Sequence, residues 1–159
     1  MKTLLLARHA KSNWNQPGYS DFDRPLNEKG EADVSKMAQR LQQHYTLDKI
    51  ISSDATRALA TATEYEKALT QTSLATEHTL YNAASLDIID VIKNIENSFS
   101  KVMLVGHNPG MTEVVNYFIK DDFYDMPAGG VAIIQFDSLS WFDLKSGSGE
   151  LLGFEYPEK

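Results

Sequence analysis

Two arginines and two histidines stand where short apolar runs give out. Leu4-Leu5-Leu6-Ala7 passes into Arg8 and His9, Ile50-Ile51-Ser52-Ser53 leads toward Arg57, and Val102-Met103-Leu104-Val105-Gly106 runs directly into His107. These residue types suit a phosphoryl group, because guanidinium forks bind its equatorial oxygens bidentately while an imidazole can attack phosphorus or donate a proton. Such chemistry needs all four side chains in one place. An α/β protein offers that place at the carboxyl edge of its sheet, where the loops leaving parallel strands line a crevice.

The elements that would deliver them are visible as periodicity. Strands are expected at 2–8, 48–52 and 101–106. Helical spacing, i, i+3, i+4 and i+7, recurs in Val34, Met37, Ala38 and Leu41, in Ile88, Val91, Ile92 and Ile95, and in Met111, Val114, Val115 and Phe118. Ala58, Ala62, Tyr65 and Leu69 are spaced compatibly, which predicts a helix from Asp54 or Ala55 to Leu69. Strand followed by helix, three times over, predicts an α/β fold: three layers, α/β/α, around a mainly parallel central sheet. Residues 131–136 and 149–156 read as two strands with no helix between them, an antiparallel addition at the sheet edge. No linker divides the chain, so one domain spanning 1–159 is expected. The long loop from Asn13 to Asn27 leaves the strand that ends at Arg8 and His9, and should wall the site.

Composition narrows the chemistry. There is no cysteine, which excludes disulfides, thiolate metal sites and a cysteine nucleophile. A net charge of −7 argues against a broad cationic face for nucleic acid or acidic membrane, though a small cationic pocket is compatible with it. Only four apolar residues precede Arg8, too few for a signal-peptide core, and no apolar run is long enough to span a bilayer. A soluble, cytoplasmic monomer is the expectation. His44 and His78 show no metal-ligand spacing, HExxH and P-loop patterns are absent, and neither metal nor cofactor is expected. Asp21-Phe22-Asp23 imitates the DxD of another phosphatase class but follows Pro17-Gly18-Tyr19-Ser20 rather than a hydrophobic strand.

Local grammar adds detail. Asn108 reads as an N-cap with Pro109 at the first helical position, which sets His107 beside the positive end of a helix. Arg57 falls in the first turn of its helix, where a cation is unfavourable unless an acid such as Asp54, or an anionic ligand, compensates. Trp14 could cover the pocket mouth or recognise a protein partner, and Trp141 reads as packing near the last strands. Gly129-Gly130 is ambiguous between a turn and a close backbone approach to phosphate.

Arg8-His9-Ala10-Lys11-Ser12-Asn13-Trp14-Asn15 resembles the Arg-His-Gly signature of the histidine phosphatase (phosphoglycerate mutase-like) superfamily. Ser52-Ser53-Asp54-Ala55-Thr56-Arg57-Ala58 is similar to its second arginine motif, and Val105-Gly106-His107-Asn108-Pro109-Gly110 to its second histidine motif. Alanine after the histidine, together with Asp21-Phe22-Asp23-Arg24-Pro25-Leu26-Asn27-Glu28-Lys29-Gly30, points to the small SixA-like phosphohistidine phosphatase branch. The resemblance implies a metal-independent, two-step phosphoryl transfer in which His9 attacks phosphorus and water then hydrolyses the phosphohistidine. Arg8, Arg57 and His107 would hold the equatorial oxygens. Asn15 matches a phosphate-contacting asparagine of the mutase-type motif but is equally an ordinary turn former, and Ser12 has the same standing.

One departure bears on substrate. Where many superfamily members carry a glutamate acid after the third strand, this chain reads Leu80-Tyr81-Asn82-Ala83-Ala84. Glu77, Asp87, Asp21 and Asp23 lie nearby in sequence or in the first loop, and each reads as a solvated surface acid. The proton donor is therefore left open among Asp21, Asp23, Glu77 and none. A phosphorylated imidazole can depart as a neutral ring without strong acid catalysis, whereas an alkoxide cannot. Phosphohistidine on a protein partner is the expected substrate. A phosphatase of small phosphate esters and a non-catalytic phosphate-binding module are the alternatives.

Overall fold

The computed structural model describes residues 1–14, 17–69 and 72–159. Strand β1 (Lys2–Arg8) sits in the interior of a six-stranded sheet, and Leu4, Leu5, Leu6 and Ala7 are fully buried. An interior strand covered on both faces needs an unbroken apolar run, which is what the sequence supplies. The chain continues through α1 (Glu28–Gln42), β2 (Lys49–Ser52), α2 (Thr56–Ala68), β3 (Ser73–Thr76), a 3₁₀ turn at His78–Leu80, α3 (Ser85–Lys93), β4 (Lys101–Gly106), α4 (Gly110–Phe118), β5 (Val131–Phe136) and β6 (Gly149–Glu155). Strand order is β3-β2-β4-β1-β5-β6.

Strands β3, β2, β4 and β1 run parallel; β5 pairs antiparallel with β1, and β6 antiparallel with β5. Leu5 and Ala7 of β1 pack with Val34, Met37 and Leu41 of α1 and Ala58, Ala62 and Tyr65 of α2. Leu4 and Leu6 face the other way, onto Ile88 and Ile92 of α3 and Val114, Val115 and Phe118 of α4. Helices therefore cover both faces, giving the three-layer α/β/α architecture. From β1 the chain crosses toward β2 on one side, and from β4 it crosses to β5 on the other. The carboxyl ends of these two neighbouring strands flank the point where the winding reverses, which is where a crevice opens.

Two local features differ from expectation. Strand β3 was not foreseen, because Ser73-Leu74-Ala75-Thr76 is a four-residue edge strand with only two apolar side chains, too short for a clear alternation. Helix α4 begins at Gly110 rather than Pro109. Asn108 still serves the helix, since its Oδ1 accepts from the Thr112 amide at 3.2 Å and the Thr112 hydroxyl at 3.0 Å, one residue later than a standard cap.

The start of α1 is fixed against the chain just beyond β1. Asn27 caps the helix by accepting from the Gly30 amide at 2.7 Å, while its own amide donates to the Lys11 carbonyl at 3.0 Å. Asp33, with a side chain only 2% exposed, pairs with Lys11 and Lys29, both at 2.7 Å. A methyl group on Gly30 would collide with the Lys11 carbonyl. Alanine at a helix position ordinarily gains about 0.5–1 kcal/mol over glycine. Here the sign reverses: Gly30→Ala is expected to lose about 1–3 kcal/mol in urea unfolding, the cost of forcing two packed backbones apart.

Candidate active site

Sheet register brings the strand ends together. Arg8 stands opposite Gly106 and Ser52 opposite Val105, and the bonding continues past the strands: the His9 amide donates to the Gly106 carbonyl at 3.1 Å and the Ser53 amide to the Val105 carbonyl at 3.0 Å. His9 and His107 thus lie side by side, ring centroids 5.2 Å apart. Arg57, from the first turn of α2, reaches between them. His9, Arg57 and His107 are 6%, 2% and 2% exposed.

Each ring nitrogen has an assigned job. His9 Nδ1 donates to the Ala10 carbonyl at 2.7 Å, which leaves the Nε2 lone pair facing Arg57, whose Nε–H lies 3.3 Å away. His107 Nδ1 accepts from Arg57 Nη2 at 3.3 Å, so its Nε2–H donates to the Ser53 hydroxyl at 2.8 Å. Both histidines are neutral. Burial is the main cause of their lowered pKa values, about 3 for His9 and about 4 for His107, with Arg57 and Arg8 pushing the same way.

The loop that holds His9 is tied to α2. The Ala10 amide donates to the Thr61 hydroxyl at 3.1 Å, and that hydroxyl donates to the Arg57 carbonyl at 2.8 Å. Ala10 itself is fully buried in the core beneath α1 and α2, so the residue that departs from the glycine pattern is a packing residue. Gly129 donates its amide to the His9 carbonyl at 2.9 Å with φ +80°, a backbone conformation that favours glycine.

Arg8 donates through Nη1 to the Met126 carbonyl at 2.9 Å. Its Nε is buried and has no partner among the described residues. A buried, charged N–H without an acceptor is costly and marks a place where an anion would be accepted. Arg57 presents the same invitation. Its side-on edge, Nε and Nη2, points between the two histidines, while its far edge is occupied: Nη1 donates to the Asp21 carbonyl at 2.6 Å and Nη2 to Asp21 Oδ2 at 3.2 Å.

Asp21 is the residue most at odds with the sequence reading. It is not a free surface acid, and the acid beside Arg57 is Asp21 rather than Asp54, which instead binds His78 Nδ1 at 2.9 Å. Although half exposed, Asp21 also accepts from Arg24 Nη2 at 3.0 Å and from the Tyr81 hydroxyl. These bonds, led by the one from Tyr81, hold its carboxyl well below the usual range. Asp23 is exposed and accepts from the Ser20 hydroxyl at 2.9 Å, while Glu77 follows β3 with its amide bonded to the Ser52 carbonyl at 2.8 Å. Ser12 donates to the Pro25 carbonyl at 2.6 Å and so closes the loop. Asn15 lies outside the described residues. Tyr81 and Ser53, given no role from sequence, are both at the site. Tyr81 stacks edge-on against His107 with centroids 5.5 Å apart. The signal for Ser53 was its place beside the strand end; for Tyr81 it was the position where an acid was missing. Among the described residues, no group of three or more His, Asp or Glu side chains is arranged to hold a metal ion.

Residues 4–84 match the family model of the histidine phosphatase superfamily (branch 1), a span that contains Arg8, His9 and Arg57. The chain belongs to that superfamily. Relatives extend the match to nearly the whole length. A chloroplastic protein of Arabidopsis thaliana is 31% identical over 93% of this chain and 72% of its own. Among solved structures, SixA from Agrobacterium tumefaciens, named as a candidate phosphohistidine phosphatase, is 30% identical with a TM-score of 0.85 and covers 98% of both chains. A protein histidine phosphatase SixA complexed with tungstate shares the fold at 19% identity, with a TM-score of 0.81, over 98% of this chain and 97% of its own. For this histidine phosphatase domain, two neutral buried imidazoles have a consequence for stability. Their folded pKa values lie below the unfolded value of 6.5, so protons bind preferentially to the unfolded chain at pH values between them. Stability is fully present above about pH 6.5 and should fall as pH is lowered toward 4, whereas Asp21 weighs in only below about pH 4. Urea unfolding at several pH values checks this, and His9→Gln should flatten the slope.

Proposed function

We propose that this protein hydrolyses phosphohistidine on a partner protein through a covalent phosphohistidine at His9. The observation that carries the reading is the pair of lone-pair nitrogens, His9 Nε2 and His107 Nδ1, converging on the side-on edge of Arg57. A phosphoryl group entering there takes over both Arg57 N–H bonds bidentately, and the unpartnered Arg8 Nε binds a further oxygen. His9 Nε2 is then left free to attack phosphorus.

The first step forms the His9 Nε2–P bond and breaks the P–N bond of the substrate, with the electron pair returning to the leaving imidazole nitrogen. The Nδ1–H bond to Ala10 fixes His9 in the tautomer whose lone pair faces phosphorus, and disperses the positive charge that builds on the ring. Neutrality at pH 7 keeps that lone pair available. In the second step water adds to phosphorus and the His9 bond breaks.

His107 must present a proton to an anion. The Ser53 hydroxyl makes this possible because, 2.8 Å from Nε2, it can either accept from that nitrogen or donate to it. A dianion raises the His107 pKa and draws a proton to Nδ1. Support for a P–N substrate comes from the state of the carboxyl nearest the arginine. Asp21, the acid that touches Arg57, is held ionised. Support for phosphohistidine also comes from the likeness to the Agrobacterium tumefaciens SixA, and support for a bulky protein substrate from an open rim where Trp14 is 74% exposed.

Two experiments test the reading. Mixing with labelled phosphohistidine protein and quenching without acid should give acid-labile, alkali-stable label on His9 that decays as phosphate is released, with chelator without effect. His9→Ala should lose turnover by about a thousandfold or more, and Arg57→Ala by about 10²–10³-fold. Release without label on His9 rejects the covalent route. Faster turnover of small esters than of the phosphoprotein rejects the substrate, and tight binding without release turns the site into a binding module.

A further inference from the structure

We propose that Asp21 is a positioning residue that aims the Arg57 guanidinium at the reacting phosphoryl group, and that the proton-donor role open to it from sequence is not its role. This rests on the reading of the site as a phosphoryl-transfer centre. A guanidinium is planar, so fixing one edge fixes the other. The Asp21 carbonyl and carboxylate hold the end-on edge at 2.6 Å and 3.2 Å, and the side-on edge therefore faces His9 and His107. A donor pair aimed in advance needs no reorganisation when charge develops on the phosphoryl oxygens.

Asp21 is held from several sides in turn. Its Oδ1 accepts from Arg24, whose side chain is 4% exposed and lies under the Trp14 ring with the guanidinium 4.7 Å from the ring centroid. Its Oδ2 accepts from Tyr81 as well as Arg57. The next residue, Phe22, takes the Thr56 amide on its carbonyl at 3.0 Å and stacks edge-on against Tyr81 with centroids 5.0 Å apart. The loop is thus fastened to the first residue of α2, one position before Arg57. With both oxygens accepting from cations or a phenol, Asp21 has no proton to give to a leaving group.

A proton donor and a positioning residue differ in two measurable ways. Loss of a donor harms substrates with basic leaving groups and spares those whose leaving group needs no proton. Loss of a positioning residue harms all substrates alike and has no further effect once the residue it aims is gone. The experiment compares wild type, Asp21→Asn, Arg57→Ala and the double variant for kcat and KM on p-nitrophenyl phosphate and on phenyl phosphate, whose leaving group is the more basic, and for tungstate affinity. Asp21→Asn is expected to lower kcat about tenfold on both substrates, to weaken tungstate about tenfold, and to change tungstate affinity less than about twofold in the Arg57→Ala background. Tyr81→Phe, which removes one bond from Asp21 and keeps both ion pairs, guards against a folding defect and should show a smaller loss of the same pattern. A loss confined to phenyl phosphate, additive effects on tungstate, or unchanged kcat and affinity in Asp21→Asn would each overturn the assignment. If wild type forms no phosphoenzyme, the proposed reaction fails by itself, and the tungstate cycle still reports whether Asp21 acts through Arg57.

Discussion

A guanidinium that is 2% exposed has five N–H groups to satisfy, and the arrangement around Arg57 follows from that demand. Two go to Asp21 and two reach imidazole nitrogens. An imidazole can accept only where it carries a lone pair, so the placement of Arg57 and the neutrality of His9 and His107 are a single condition. Burial enforces it from one side by disfavouring the imidazolium, and the arginine charge enforces it from the other. The result is a cation pointed at two bases, an arrangement that an oxyanion would satisfy better. Arg8, with a buried Nε that has no partner among the described residues, leans the same way.

That cluster depends on strand register, which explains how much of it was legible. The runs of β1 and β4 end on Arg8-His9 and on His107, and that of β2 leads into the helix whose first turn carries Arg57, so all three strands and their functional side chains could be read directly. Their convergence follows from parallel pairing, because residues at the carboxyl ends of neighbouring parallel strands must be neighbours. Arg57 opposite a first-turn helix dipole signalled a missing anion, and the signal was sound, but the acid that answers it comes from a loop residue 36 positions away. No local pattern identifies Asp21 as that acid. Tyr81 was visible only as an absence of glutamate. Strand β3 and the true first residue of α4 were hidden because each depends on partners rather than on propensity: β3 on the edge of β2, and Gly110 on the Ala83 carbonyl and Ile88 side chain that a Cβ would strike.

The segment Arg24-Pro25-Leu26-Asn27-Glu28-Lys29-Gly30 gains a physical meaning from the same contacts. It returns the loop to its point of departure. Asn27 binds the Lys11 carbonyl, Ser12 binds the Pro25 carbonyl at 2.6 Å, Asn27 Nδ2 donates to Asn13 at 3.0 Å, and Gly30 lets α1 approach Lys11 without a clash. With residues 11–13 joined to residues 25–30 in this way, the stretch just before Arg24 is placed so that Asp21 reaches Arg57. A pattern that might pass for a surface turn is thereby joined to the buried site.

The same economy of parts bears on the direction of catalysis. A mutase must keep water from its phosphoenzyme, which calls for segments that enclose the substrate. Here the loop between β1 and α1 is spent on holding Arg57 from behind, and Trp14 and Tyr19 on its outer side are 74% and 51% exposed. Tyr81 stands beside His107 with its hydroxyl committed to Asp21. The walls would therefore hold the proposed phosphoryl group tightly and leave the group beyond it loosely enclosed. On the proposed reaction, a site of that shape would let water reach the phosphoenzyme and would admit a phosphate carried by a large partner, and both would follow from the loop that holds Arg57.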